Sequence, residues 1–283
     1  MSRLARLVRE PRLAWPAIVA RLDRPGRRWL LAPAVSLRVT AIYRRPCLVY
    51  WRDGVWIHHY RGARIPHAAP GRAAPPDVFT AEARDLFLHG YTPHPGDVVF
   101  DVGAGIGAET LVFSRLVGPS GRVISLEAHP RTYERLVRLC RANALSNVTP
   151  LQIAAADRDG ELTISDGDSH LRNTVLGSGG TAVRARRLDA LTRDLGIERI
   201  DLLKMNIEGA ERPALEGLAG GIERVRHVCI SCHDFLADAG GSQDMRTKAF
   251  VSDFLRAHGF RTSTRADAAQ PWTRDYVYGT NTR

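Results

Sequence analysis

The chain has 283 residues, 44% of them hydrophobic, enough for one large domain or for one domain with an extension. Its formal charge of +10 is unevenly spread: residues 1–46 hold eleven arginines against Glu10 and Asp23, a net +9, and the remainder is nearly neutral. The first 46 residues contain no apolar run long enough to span a bilayer and no apolar core followed by a small-residue cleavage site, which argues against a membrane anchor or secretory signal and for a cytoplasmic protein.

Taken in order, residues 1–46 read as short helices interrupted by proline, with Trp15, Trp29, Leu30 and Leu31 set among the arginines. Such an arm suits peripheral contact with an anionic membrane face or a polyanion, and equally a flap whose arginines are solvated. Residues 47–51 and 55–60 flank Arg52-Asp53-Gly54 and read as a hairpin. The Pro-, Ala- and Arg-rich stretch 61–77 reads as a loop, dividing an extension over 1–76 from a second domain over 77–283. A helix is predicted over 80–90, after which Pro95-Gly96-Asp97 turns into the first sheet strand.

That strand, Val98-Val99-Phe100-Asp101-Val102, runs into Gly103-Ala104-Gly105-Ile106-Gly107 and then into a segment of helical period over 108–117. A buried parallel strand delivering a glycine turn to a helix N-terminus is how open α/β sheets build nucleotide pockets. Gly103, Gly105 and Ala108 nearly satisfy the dinucleotide fingerprint. Two acids favour S-adenosylmethionine. Asp101 stands beside the glycines, where a carboxylate suits the ammonium of a methionine moiety and is an awkward neighbour for a pyrophosphate. The second strand, 122–127, ends in Glu127, which suits both ribose hydroxyls. Nicotinamide enzymes carry that second acid too, so an oxidoreductase remains the alternative at this point.

From Pro130 a helix places Tyr133, Leu136, Val137 and Cys140 at i, i+3, i+4 and i+7. Residues 148–154 form a third strand ending at Ala154-Ala155, whose small side chains leave room for an adenine ring or for close helix packing. Two short β runs are predicted within 161–185 around a polar loop at 166–180. A helix over 187–195, a strand over 200–206, a helix over 245–258 and strands near 260–264 and 274–279 complete the chain. Strands alternating with helices predict an α/β fold, a doubly wound, mostly parallel sheet with an antiparallel C-terminal edge. Cys229-Ile230-Ser231-Cys232-His233 matches haem attachment and half a zinc site, but no export signal or second ligand pair accompanies it, so buried thiols are expected.

Four blocks together resemble the FkbM family of S-adenosylmethionine-dependent methyltransferases: Val98 to Gly107; Ser125-Leu126-Glu127-Ala128-His129-Pro130; Arg187-Leu188-Asp189-Ala190-Leu191; and Ile200-Asp201-Leu202-Leu203-Lys204-Met205-Asn206-Ile207-Glu208-Gly209-Ala210-Glu211. The resemblance implies a Rossmann-like, seven-stranded class I methyltransferase sheet. It also implies methyl transfer to a hydroxyl of a sugar, a glycolipid or polysaccharide precursor, or a polyketide-type metabolite. Asp101, Gly103, Ala104, Gly105, Glu127, Ala128, Ala154 and Ala155 would hold the cofactor. One departure stands out: Asn206 replaces the usual Asp, so it can orient a donor or ligate through its amide oxygen but brings no charge.

Methyl transfer from a sulfonium requires alignment of the acceptor oxygen and removal of its proton. The strand ends facing the sulfonium in such folds carry Lys204, Asn206, Glu208 and His233. His233 is the expected base, since an ordinary imidazole titrates near about 6.5, with Asp234 or Glu208 fixing its tautomer. Asn206, Glu208 and Lys204 are further catalytic candidates, the alternative for Lys204 being a structural pair with Glu211. Asn206, Glu208 and His233 are also the candidate ligands for Mg²⁺. Nucleic-acid acceptors fit poorly, because Asn206 is followed by Ile207-Glu208 in place of Pro-Pro-aromatic and no nucleophilic cysteine stands there. A homo-oligomer is left open, as is a non-catalytic binding protein on the same fold.

Overall fold

The computed structural model describes residues 11–71, 73–164, 175–176 and 180–283. The chain forms two units, one ending at Val78 and one running Phe79–Arg283. In the first, helices α1 (Pro11–Leu22) and α2 (Arg28–Tyr43) precede three strands, β1 (Cys47–Arg52), β2 (Val55–Tyr60) and β3 (Ala63–His67). The apolar period of α2 buries Leu31, Val35 and Val39, and two hydroxyls tie the same helix to β1. Ser36 Oγ accepts from the Val49 amide at 2.8 Å and Thr40 Oγ1 from the Cys47 amide at 3.0 Å. The expected proline breaks do not occur, because Pro16 and Pro33 sit inside continuous helices. For Pro33, the buried stripe and the two hydroxyl ties offset the lost helical hydrogen bond.

The hairpin forms in the expected register, Trp51 opposite Trp56. Residues 63–67, expected as loop, instead form β3 along β2. Ile65 is buried there, and Pro66 is tolerated because β3 is an edge strand.

Helix α3 (Pro76–Leu86) starts four residues before the predicted 80, Pro76 supplying a preset first turn. Then come β4 (Val98–Val102), α4 (Ala108–Val117), β5 (Arg122–Leu126), α5 (Pro130–Ala142), β6 (Val148–Leu151), β7 (Ala154–Ala155), β8 (Gly160–Ile164), β9 (Val175–Leu176) and β10 (Thr181–Arg186). The chain continues through α6 (Leu188–Asp194), β11 (Ile200–Met205), α7 (Glu211–Glu216), β12 (Val225–Ser231), α8 (Asp234–Asp238), α9 (Lys248–Ala257), β13 (Phe260–Thr264), α10 (Pro271–Arg274) and β14 (Tyr276–Asn281). The expected third strand is two: β6 stays on β5 to Leu151, then Ala154 pairs with Ala185 in a second sheet ordered β7-β10-β8-β9. Much of the expected polar loop at 166–180 lies outside the described residues.

The main sheet has seven strands in the order β13-β14-β12-β11-β4-β5-β6, parallel except at β14. This is the doubly wound sheet with an antiparallel C-terminal edge that the alternation predicted. Every residue of β11 is buried, as parallel strands covered on both faces require. All four cysteines are free and buried, as expected.

Candidate active site

The direction of winding reverses where β4 lies between β5 and β11, so a crevice opens at the carboxyl ends of these strands. There Gly103 to Gly107 turns the chain from β4 into α4. Gly103 has φ +75, and a Cβ on it would lie 2.0 Å from the Asn206 carbonyl oxygen. The bare backbone lets β4 and the end of β11 close against one another. Gly103→Ala should therefore lower the unfolding free energy by about 2–4 kcal/mol, combining left-handed strain with overpacking. Chemical denaturation of the variant checks this.

A cavity of about 320 Å³ fills the crevice. Gly103, Ala104, Gly105, Glu127, Ala128, Ala154 and Ala155 all line it, as do Lys204, Asn206 and Glu208. Gly105, at φ +56, has no atom within 4 Å of its would-be Cβ, so main chain is presented to open space. Glu127 is fixed by two amides, Gly105 N–H to Oε2 and His129 N–H to Oε1, each 2.9 Å. Burial pushes its carboxyl up to about 7, against the pull of those two N–H groups. Ile153, Ala154, Ala155 and Ile164 make an apolar wall where the flat ring was expected.

Asp101 does not line the cavity. Its strand register sets it beside Lys204, and its fully buried carboxylate accepts from Lys204 Nζ at 2.8 Å and from Thr110 Oγ1 at 2.6 Å. The expected contact with a methionine ammonium is thus replaced by a contact inside the protein. The Lys204 ammonium also donates to the Gly103 carbonyl at 2.8 Å. Lys204 therefore pairs with Asp101 and not with Glu211. Glu109 in the first turn of α4, which the motif reading missed, is the half-buried acid at this end of the cavity. Burial raises its carboxyl above the usual range, opposed by Lys204. Its sequence signal was an acid at the start of the helix that follows the glycine turn.

His233, the expected base, is 7% exposed and does not line the cavity. Its Nδ1 lies 3.3 Å from Glu211 Oε1, so the partner of the imidazole is Glu211. Asp234 is engaged elsewhere, accepting from the Thr247 and Lys248 amides at the start of α9. Glu211 also receives the Gly209 amide and the Thr247 hydroxyl.

Glu208 is the residue that the structure singles out. Its φ of +50 is in the left-handed region, which side chains rarely occupy. It lines the cavity, and burial pushes its carboxyl up to about 7; His233 pulls it down, while Glu211 and Glu127 push it further up. Strain of this kind persists only where the surroundings enforce it.

Among the described residues no group of three His, Cys, Asp or Glu side chains could hold a metal ion. Of the three expected Mg²⁺ ligands, Asn206 and Glu208 reach the cavity and His233 does not.

Comparison with known proteins agrees with this geometry. Residues 101–262, more than half of the chain, match the model of the methyltransferase FkbM domain. The 31-O-demethyl-FK506 methyltransferase FkbM of Streptomyces tacrolimicus is 28% identical over 246 residues, covering 73% of this chain and 88% of that one. The 2-O-methyltransferase NoeI of Sinorhizobium fredii is 26% identical over 162 residues, covering 50% and 65%. The AMB antimetabolite synthetase AmbE of Pseudomonas aeruginosa is 42% identical over 94 residues, a third of this chain but only 4% of the synthetase. With the motif blocks, the sheet order and the family match in agreement, the chain belongs to the FkbM family of methyltransferase domains.

Proposed function

We propose that the chain transfers a methyl group from S-adenosylmethionine to a hydroxyl of a sugar, of a glycolipid or polysaccharide precursor, or of a polyketide-type metabolite. The observation that carries this reading is one cavity lined both by Glu127, fixed by two backbone amides, and by the carboxylate of Glu208, whose backbone is held at φ +50. The names of two relatives, a 31-O-demethyl-FK506 methyltransferase and a 2-O-methyltransferase, describe oxygen-directed activities and support the same acceptor class.

The residues present fit the cofactor. Glu127 would take the ribose hydroxyls, the Ile153–Ala155 and Ile164 wall the adenine, the bare Gly105 backbone the chain between them, and Glu109 the ammonium. When bound, S-adenosylmethionine supplies an activated methyl group. On the acceptor side, Glu208 takes the hydroxyl proton, its carboxyl poised near neutrality. The Asn206 amide orients the acceptor. His233, beside Glu211 and outside the cavity, acts to lower the Glu208 carboxyl against its burial. Of the three residues considered for Mg²⁺, Asn206 and Glu208 reach the cavity, and of those two only Glu208 can bring a charge.

Cofactor binding should be pH-dependent. The raised Glu127 carboxyl must ionise to accept two hydroxyls, so affinity rises with pH through about 7. Between pH 6 and pH 8 the dissociation constant should fall about tenfold, and Glu127→Gln should bind weakly with a flat profile; calorimetric titration reads both. The reaction class is tested with methyl-labelled S-adenosylmethionine and a panel of hydroxylated glycans and polyketides, products mapped by mass spectrometry. Label on nitrogen or carbon, or binding of NAD(H) in place of S-adenosylmethionine, would sink the assignment.

A further inference from the structure

The outer face of α2 is apolar although nothing among the described residues of its own unit covers it. Leu31, Val35 and Val39 point inward, whereas Leu30, Pro33, Ala34, Leu37 and Ala41 form a second stripe on the opposite side, all exposed. Leu37 is 74% exposed and Trp29, at the start of the helix, 70%. Leu48 on β1, 60% exposed, adjoins Leu37 along a shallow concavity of about 530 Å³. A surface helix ordinarily turns charged residues outward. This one has only Arg28 and Arg38 in sixteen residues, and both lie against tryptophan rings, Trp51 and Trp15.

The charge lies at the two ends of α2 instead. Arg24 and Arg27 precede it, Arg44 and Arg45 follow it, and all four are exposed. Between residues 11 and 52 the single acid is Asp23, which Arg28 holds at 2.7 Å. An apolar stripe about 24 Å long, bracketed by cations and with an exposed tryptophan at one end, has the chemistry of a helix lying in an interface. Among the described residues no helix is long and apolar enough to cross a membrane.

We propose that this face docks on an anionic phospholipid membrane. Trp29, Leu30, Leu37 and Leu48 enter the headgroup boundary, and Arg24, Arg27 and Arg44 meet the lipid phosphates. The occupant is a membrane and not a second copy, because apposing two such faces would bring like-charged arginine clusters together, with Arg45 alone of the four already met by an acid among the described residues, Asp77 at 3.1 Å.

Co-sedimentation of the full chain with vesicles of phosphatidylcholine, alone or mixed with phosphatidylglycerol, tests the inference. Binding is expected only to the mixed vesicles and weakens as salt rises. Leu30→Glu/Leu37→Glu changes exposed positions, so its thermal transition should match wild type while its vesicle affinity falls at least about tenfold. Arg24→Gln/Arg27→Gln should lose roughly 25-fold, at about a fivefold factor per arginine. Equal binding to neutral vesicles, or either variant sedimenting like wild type, overturns the membrane assignment. So does a wild-type dimer in solution that Leu30→Glu/Leu37→Glu converts to monomer.

Discussion

Lys204→Met is expected to lower the unfolding free energy by about 3–5 kcal/mol, the range for removing one partner of a buried ion pair. Lys204 and Asp101 are 1% and 0% exposed and meet at 2.8 Å on neighbouring central strands. Burial pulls the ammonium down, but the carboxylates of Asp101 and Glu109 outweigh it, and its pKa ends above the ordinary lysine value. Without Lys204, Asp101 would be left as an unpaired buried charge, and the half-buried Glu109 would lose the cation that opposes its burial. Asp101→Asn should be milder, because the ammonium keeps the Gly103 carbonyl and the Glu109 charge. Asp101→Leu/Lys204→Met should recover much of the single-variant loss, since a buried pair replaced by apolar groups is often near neutral. Urea denaturation of the wild type and these three variants reads all three expectations. If Lys204→Met unfolds at the wild-type midpoint, the pair does not hold the strands together.

Glu208→Gln is expected to lower kcat by roughly 10²–10⁴-fold while leaving S-adenosylmethionine affinity intact, as loss of a general base does. In the wild type, the base form of a carboxyl near 7 accumulates as pH rises, so kcat should climb through about pH 7 and level off above it. The stability sign is opposite: an acid raised in the folded state contributes stability below its unfolded pKa, and that contribution is lost as pH rises through about 7. Glu208→Gly separates the two roles. Glycine relieves the φ of +50, so this variant should gain about 1 kcal/mol of stability and still be inactive. Unchanged kcat in Glu208→Gln would return the proton-acceptor role to His233.

The glycine turn, Glu127 and the small residues at 154–155 were legible because each requirement is local: a turn, an acid at a strand end, room beside a strand. Pairing was not legible. Asp101 and Lys204 are 103 positions apart, and only the sheet order makes them neighbours; periodicity fixes which face of a strand a residue occupies but not which strand lies alongside. The same blindness offered Glu211 as the structural partner of Lys204 and left Glu109 unnoticed. His233 stands at a strand end as expected, but whether its ring turns to the cavity or to Glu211 depends on how α7 packs. Glu208 was read as an acid of the right kind, whereas its left-handed backbone is a property of the folded turn.

The sheet order also has a consequence for how the chain is made. Strand β4 emerges nearly a hundred residues before β11, the strand that covers its second edge. At about 5–20 residues per second, synthesis leaves that apolar edge open for seconds, long compared with strand pairing times. The half-made sheet, β4 with β5 and β6, therefore presents an unpaired hydrophobic border to the cell. The floor of the cavity forms only once residues 200–206 have left the ribosome.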